Sequence, residues 1–542
     1  MKKLWIAAVL LQPALAVTTS ATDDDFDNFL KEAVGGFDKF IDDANRDFIS
    51  FMRDPWKKYA AEKPVEKRVV PEPQQPVVFD PAATPPEEKP EGLSIQEILD
   101  LTTSEGHQRP RTKVNGGASE QIPLTTQQPQ PETRPVRKPT VTGNRPTPET
   151  KPATDTTPAH SQPTPSAPAT KPQPRPASDP LHAGGQGRDR FSYCGIDYHI
   201  SNGLKQAITL RGLDENAIAD AYESLFRADW QPVVDDLKKL RDDDLNGNEW
   251  ALFMLIKQVA SAYAGRDESM VMRQFLLNQL GYKARMARIA GDNRLTLMVA
   301  PDCQLYGCIY VDEGGTRYYD VDAKAPYSFY MCKKDSPTAR KSVSMSAASH
   351  PRMAGSTAVS THKSPSTGMA ATIKVPKALM QFYAQYPQCD YQVYAKAAVN
   401  QEIDSDLMAQ LKSQIDATDK IKAAGMLLDF VQKGFEYATD DEQFGYEKPF
   451  FVEELFYYPK CDCEDRSILY RHLVKSLLGL DVVLLDYPDH IATAVRFGDD
   501  TPGDYVNVGG VKYTVCDPTY IGAGIGKAMP QYRNTAAKVL RY

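Results

Sequence analysis

Residues 460–479, KCDCEDRSILYRHLVKSLLG, join a polar, acidic start to a run of apolar residues. The apolar residues recur at intervals of three and four, which predicts a helix with one buried face that ends at Gly479. A cysteine in the first turn of such a helix meets unpaired backbone N–H groups and the positive end of the helix dipole, and both stabilise a thiolate. The sequence therefore predicts a reactive Cys463.

Two polar residues further along the chain stand at the ends of predicted strands. His490 precedes a run of β-branched and alternating residues that reaches Phe497 and is typical of a strand. Asp517 follows a second predicted strand, Lys512–Cys516, and the proline after it cannot continue the ladder. The chain order is therefore a cysteine on a helix, a histidine on a strand and an aspartate at a strand end.

These three residue types suit nucleophilic catalysis. A thiol attacks an amide carbonyl as the thiolate, so it needs a base within hydrogen-bond reach and a third group that orients the base. Residues 373–542 contain two histidines, and His472 would lie about 13 Å from Cys463 along the same helix, too far to act as the base. We therefore predict Cys463 as nucleophile, His490 as base and Asp517 as the orienting carboxylate.

Other assignments stay open at the level of sequence. Cys461 is a second candidate nucleophile, and Asp486 and Asp489 are further candidates for the orienting carboxylate. These cysteines also fit an ordinary buried core. A structural zinc site is another interpretation, although Cys-x-Cys lacks the usual two-residue spacer. Its ligands would be Cys461, Cys463, Cys516 and His490.

A resemblance to a known family rests on three motifs in this order: the Cys463-x-Asp465 helix start, the His490 strand and the Asp517-Pro518-Thr519 turn. Over roughly residues 415–530 the chain resembles transglutaminase-like cysteine enzymes, relatives of the papain-type fold. The resemblance implies an α+β fold in which the helix that bears the cysteine packs on an antiparallel sheet. It also implies acyl transfer or amide hydrolysis through a thioester, and no metal or other cofactor is expected.

An oxyanion hole should combine the backbone N–H of Cys463 with one side-chain donor upstream. The sequence offers several tyrosines for this role without choosing among them. They are Tyr437, Tyr446, Tyr457 and Tyr458.

An internal repeat is indicated by comparing two parts of the chain. Residues 267–273 align without gaps on 465–471, each followed by a glycine at the same distance, and 317–322 align on 512–517. The nucleophile position then falls on Gly265, and no histidine stands near the place of His490. We predict a degenerate transglutaminase-like domain at 188–334 and the catalytic one at 373–542.

The rest of the chain predicts export and tethering. Residues 1–16 have the charged start, apolar stretch and small-residue cleavage site of a signal peptide, so we expect a periplasmic or secreted protein. An amphipathic aromatic helix is predicted at 22–60. More than half of the 41 prolines lie in 61–187, which predicts a disordered linker. The Ser/Thr/Ala-rich residues 335–372 predict a second linker.

Composition limits the partners. A net charge of −8 argues against a nucleic-acid partner. No apolar run after the signal approaches the roughly 20 residues that span a bilayer, so no transmembrane segment is expected after cleavage. Eight cysteines are too few for a disulfide scaffold, although Cys303 and Cys308 are candidates for a bridge across a turn. The aromatic stripe at residues 26–56 either packs on the chain's own domains or docks on an envelope protein.

Two functions follow. The first is an exported cysteine enzyme that acts on a peptide or protein substrate, with hydrolysis favoured over crosslinking because nothing identifies a site for an amine. The second is a catalytically silent envelope assembly or adaptor protein that recruits partners through its N-terminal helix and tether.

Overall fold

A computed structural model describes residues 23–65, 121–122, 179–323 and 325–542. The predicted signal peptide and nearly all of the predicted linker at 61–187 lie outside the described residues. The described residues form a mixed α/β structure in which helices pack on antiparallel sheets.

The first unit is built from the elements up to Met331. Its helices are α1 Asp23–Met52, α2 Pro180–Ala183, α3 Glu215–Arg227, α4 Gln231–Asp243, α5 Glu249–Tyr263 and α6 Arg266–Gln279. Its strands are β1 Lys57–Ala60, β3 Arg188–Tyr193, β4 Ile196–Ser201, β5 Ala284–Ile289, β6 Leu295–Val299, β7 Ile309–Glu313, β8 Thr316–Asp320 and β9 Ser328–Met331, while β2 Gln121–Ile122 joins the second unit.

The second unit follows a hairpin of β10 Thr357–Lys363 and β11 Ala370–Pro376. Its helices are α7 Lys377–Tyr383, α8 Tyr391–Lys396, α9 Gln401–Lys412, α10 Lys420–Lys433, α11 Asp440–Gln443 and α12 Cys463–Leu478, with 3₁₀ turns at Val452–Phe456 and Pro530–Tyr532. Its strands are β12 Glu436–Tyr437, β13 Lys460–Cys461, β14 Val482–Asp486, β15 Ile491–Val495, β16 Tyr505–Val508, β17 Val511–Cys516 and β18 Ala537–Leu540.

The two units share one sheet topology. The first sheet runs β1-β9-β5-β6-β8-β7, and the second runs β2-β18-β14-β15-β17-β16, so each strand of one sheet has a counterpart in the other. In each unit a helix precedes the first central strand, α6 before β5 and α12 before β14, and packs on the sheet.

The register of the sheets agrees with the alignment of the two sequence halves. Val299 of β6 pairs with Tyr319 of β8, and Val495 of β15 pairs with Thr514 of β17. Tyr319 and Thr514 are also equivalent in the alignment of 317–322 with 512–517. The places held by Cys463, His490 and Asp517 therefore correspond to Gly265, Arg294 and Asp322.

The N-terminal helix packs on the first unit. Phe48 contacts the ring of Tyr222 edge to face, with 5.6 Å between ring centroids. Arg53 forms an ion pair with Asp220 on α3 at 2.7 Å. From Ala44 onward the apolar stripe is therefore covered by the chain itself. This agrees with the interpretation that residues 26–56 pack on the chain's own domains. The side chains of the preceding part of that range lie mostly outside the described residues.

The prediction of an unstructured linker at 335–372 is wrong. The backbone of Val343 exchanges hydrogen bonds with that of Ala300 and Asp302, and β10 and β11 form a seven-residue antiparallel ladder. Ile373 and Val375 of β11 are buried. β10 contains Thr357, Ser360 and Thr361 and has no fully buried position, so its composition resembles that of a linker.

One hydrophobic core runs through both units, and smaller clusters cover the other faces of the two sheets. Burial of each large apolar side chain contributes about 1.5–3 kcal/mol, so the shared core holds the units together. Among the described helices, none has both the length and the apolar character to cross a membrane.

Candidate active site

The helix that bears Cys463 begins where the sequence predicts. Asp465 accepts a hydrogen bond from the N–H of Asp462 at 3.2 Å and another from the N–H of Phe450 at 2.7 Å, which fixes the first turn. Gly479 ends the helix in the left-handed conformation, with φ 63°. Cys463 is fully buried at this helix start.

His490 and Asp517 lie side by side because their strands are neighbours. Thr493 of β15 pairs with Cys516 of β17, which brings the residue before β15 next to the residue after β17. His490 Nε2 lies 2.9 Å from Asp517 Oδ2, and both side chains are buried. The other carboxylate oxygen of Asp517 accepts the N–H of Thr519 at 2.9 Å. Asp517 is thus fixed by its own turn and holds the imidazole of His490 through Nε2. The Nδ1 atom of His490 remains for another partner.

The thiol of Cys463 lies at the same end of β15. Its Sγ accepts the N–H of Ile491, the residue directly after His490, at 3.5 Å. The thiol also lies 3.3 Å from Glu464 Oε2, to which it donates. Within the described residues the thiol therefore bonds to Glu464 rather than to His490.

Aromatic rings cover the imidazole. The ring of Tyr532 stacks on His490 with 5.0 Å between centroids, and Tyr487 stacks on Tyr532 at 4.7 Å. Tyr532 also donates to Asp489 at 2.8 Å, which gives Asp489 a role on the covering ring. Asp517, not Asp489, contacts the imidazole.

The prediction of a stabilised thiolate is not met in this structure. Burial raises the pKa of Cys463 well above its usual value, and the neighbouring Glu464 carboxylate raises it further. The N–H of Ile491 acts in the opposite direction but does not outweigh them. The carboxylate of Glu464, which directly follows the cysteine, opposes the stabilisation that a helix start gives to a thiolate.

A buried acidic cluster, which includes the Glu464 partner of the thiol, lies beside Cys463. Carboxylate oxygens of Asp440, Asp462 and Glu464 lie within 4.8 Å of one another. Neither carboxylate oxygen of Asp462 accepts a hydrogen bond from any described residue. Burial, together with the charge of Glu464, raises the pKa of both Asp440 and Asp462 well above the usual value.

Oxygen ligands of this kind suit a hard divalent cation such as Ca²⁺ or Mg²⁺, and protonation would also relieve the repulsion. Sequence reasoning missed the cluster because Asp440 is far from Asp462 in the chain and no continuous loop supplies the oxygens. The only sequence signal for the cluster was the pair of acidic residues, Asp462 and Glu464, that flank Cys463.

The zinc interpretation is not supported. Among the described residues, the acidic cluster is the one group of at least three side chains close enough together to share an ion. Cys461 Sγ instead contacts Arg466 Nε at 3.5 Å, and Cys516 Sγ donates to the carbonyl of Thr514 at 3.7 Å. These two cysteines belong to the core around the site.

One of the four candidate tyrosines stands out. Tyr437 pairs with Cys461 across the short parallel ladder of β12 and β13. Burial raises the pKa of Tyr437, and the neighbouring Cys463 and Asp462 raise it further. That hydroxyl has no hydrogen-bond partner among the described residues. Tyr458, by contrast, packs on Phe450.

The equivalent place in the first unit is an ion-pair site. Asp322 binds both Arg273 and Lys257 at 3.0 Å. Burial opposes ionisation of Asp322, but the two cations prevail and lower its pKa to about 2. Gly265 and Arg294, at the other two places, offer neither a nucleophile nor a base.

No protein-family model matches this chain, and no curated protein and no solved structure is significantly similar to it.

Proposed function

We propose that this protein is an exported cysteine hydrolase of amide or peptide bonds, with a transglutaminase-like, papain-related second unit and a degenerate copy in the first. The observation that carries the proposal is the His490–Asp517 pair at 2.9 Å, with Cys463 Sγ on the backbone amide that follows His490. Three residues from separate elements lie in one buried place, and their types are those that thiol catalysis needs.

The reaction begins with the thiol of Cys463, whose proton passes to Nδ1 of His490. The thiolate attacks the carbonyl carbon of the substrate amide, and Asp517 stabilises the imidazolium through Nε2. The backbone N–H of Cys463 and the hydroxyl of Tyr437 stabilise the oxyanion. His490 returns the proton to the leaving amine, and water then hydrolyses the thioester with His490 as base.

Two changes must precede this step. Cys463, His490 and Asp517 are all buried, so the covering aromatic residues have to move before a carbonyl reaches Sγ. The thiol must also turn from Glu464 to His490, which becomes favourable when negative charge in the acidic cluster is neutralised. The conformation described here is therefore the resting form of the enzyme.

A second function, the catalytically silent envelope adaptor, is favoured by one observation. The raised pKa of Cys463 and its contact with Glu464 are what an inert core cysteine would show. The predicted docking segment at residues 26–56 would then serve partner recruitment.

Alkylation with iodoacetamide separates the two functions. The enzyme predicts selective alkylation of Cys463 at neutral pH in the wild-type chain and its loss in His490→Ala. His472→Ala is the matched control, because His472 lies on the same helix and bonds to Asp404 at 2.7 Å instead. Slow alkylation of Cys463 that is equal in the three proteins would support the adaptor.

A further inference from the structure

The loop that carries Asp517 is bonded to a helix from an earlier part of the second unit. Gln432 lies in the last turn of α10, and its Nε2 donates to the carbonyl of Asp517 at 2.9 Å and to that of Ala523 at 3.0 Å. Its Oε1 accepts the N–H of Gly522 at 3.1 Å. One neutral, buried side chain thus makes three hydrogen bonds to the backbone of the loop at 517–523.

Gln432 is also bonded to the helix of the proposed nucleophile. α10 packs on α12, and Arg466, three residues after Cys463, donates through Nη1 to the backbone carbonyl of Gln432 at 3.3 Å. Its Nη2 donates to the carbonyl of Phe435 at 2.7 Å, and the side chain is buried. The last carbonyls of an α-helix have no partner within the helix, so Arg466 satisfies the end of α10. Gln432 therefore connects the helix of Cys463 to the loop of Asp517.

The first unit makes a related contact with a charged side chain. Lys257 lies on α5, which packs on α6, and its ammonium group binds the carboxylate of Asp322 at 3.0 Å. Gln432 instead binds the backbone of Asp517, whose carboxylate bonds to His490 at 2.9 Å. A neutral amide therefore fixes the aspartate without placing a cation on its carboxylate in competition with the imidazole.

We propose that Gln432 is a positioning residue for the pair of His490 and Asp517. The inference rests on the proposed hydrolase function, in which Asp517 orients His490 as the base. Without the amide, two carbonyls and one N–H of the loop lose a partner, and the loop has to move to satisfy them. That movement takes the carboxylate of Asp517 away from Nε2 of His490.

Proton NMR of the full chain tests the position of the pair. The strong hydrogen bond between the imidazole and the buried carboxylate should give a low-field proton resonance, identified by its loss in His490→Ala. Gln432→Met keeps a side chain of similar length but removes the three hydrogen bonds, so the resonance should disappear or shift. Gln414→Met is the matched control, because Gln414 likewise bonds to the N–H and carbonyl of Ala370, at 3.0 and 2.7 Å. The resonance should stay unchanged in that variant.

The rate of Cys463 alkylation gives the functional readout. A misplaced orienting group slows a reaction, so the rate should fall about tenfold in Gln432→Met, and it should equal the wild-type rate in Gln414→Met. An unchanged resonance in Gln432→Met, or the same change in both variants, overturns the positioning role even if His490→Ala slows alkylation as the hydrolase predicts. If His490→Ala leaves the rate unchanged, the hydrolase fails, whereas a resonance lost only in Gln432→Met still supports the role of Gln432.

Amide hydrogen exchange at Gly522 gives a measurement on the wild-type chain, which needs no variant to fold. Gly522 is exposed, but its N–H donates to Oε1 of Gln432, so this N–H should exchange at least tenfold more slowly than in an unstructured peptide. Exchange at the rate of an unstructured peptide would show that the contact is not formed and would overturn the proposal.

Discussion

The two units of this chain place different residues on one scaffold. Where the second sheet holds His490 against Asp517 and the thiol of Cys463, the first holds Asp322 between Arg273 and Lys257. Strand order and register are the same in both sheets. The comparison teaches that the topology supplies three adjacent places, and that side-chain identity decides whether they hold the proposed catalytic triad or an ion pair.

The largest expected effect is the difference between Asp517 and Asp322 in the rate of Cys463 alkylation. Asp517→Ala removes the group that orients His490, so the rate of Cys463 alkylation at neutral pH should fall on the order of 100-fold. Asp322→Ala alters the equivalent place of the first unit and should leave that rate unchanged. Alkylation followed by mass spectrometry measures both, and an equal loss in the two variants would show that the rate reports stability alone.

Asp322 should affect the stability of the protein, although it should not affect the rate of Cys463 alkylation. Asp322→Ala leaves Arg273, which is 2% exposed, without its carboxylate, and an uncompensated buried charge costs about 3–5 kcal/mol. Asp235→Ala removes an exposed partner of Lys238 and should cost less than about 0.5 kcal/mol. Urea unfolding measures both. If the two variants unfolded at the same midpoint, Asp322 would not be the structural ion pair described here.

The pH dependence of stability should have opposite signs in the two units. Burial raises the pKa of Glu453, in the second unit, to about 7. The folded state therefore keeps a proton that the unfolded chain releases near pH 4.5, and the stabilisation, about 3 kcal/mol, is lost as the pH rises to 7. The pKa of Asp322 is lowered to about 2, so its contribution is present above pH 4 and lost as the pH falls towards 2.

Variants separate the two contributions. Glu453→Gln should flatten the decline in unfolding free energy between pH 4.5 and 7, and Asp322→Asn should flatten the decline below pH 4. Unfolding by urea across this pH range checks both. A wild-type protein whose stability rises steadily from pH 4.5 to 7, with no change in slope in Glu453→Gln, contradicts the assignment of a neutral Glu453.

A smaller effect concerns the thiol itself. Because Glu464 is one cause of the raised pKa of Cys463, Glu464→Gln should shift the pH–rate profile of alkylation to lower pH. A shift of one pKa unit increases the thiolate fraction, and hence the rate at neutral pH, about tenfold. Glu442→Gln is the control, since Glu442 is exposed and only caps α11. An unchanged profile in Glu464→Gln would remove Glu464 from the account.

The local parts of the fold could be predicted from the sequence. The start of α12 at Cys463 and its end at Gly479 depend on periodicity and on single punctuating residues, so they agree with the structure. The His490–Asp517 contact was also anticipated, because both residues flank short strands that an antiparallel sheet brings together.

The long-range parts could not be predicted in this way. Asp440 reaches Asp462 only after folding, and Leu305 of the first unit pairs with Cys389 of the second unit. The hairpin of β10 and β11 was missed because no position of β10 is fully buried. The missed features are the charge around a buried thiol and the burial of one strand face. Both depend on residues that are distant in the chain.

Hydrolysis of peptides by the mature protein tests the central claim most directly. A digest of cell-envelope proteins is incubated with the wild-type chain, with Cys463→Ala and with Cys461→Ala, and cleaved amides are identified by mass spectrometry. The account predicts cleavage by the wild-type and Cys461→Ala proteins that is abolished in Cys463→Ala. The same cleavage by Cys463→Ala, or none by the wild-type protein, would contradict it.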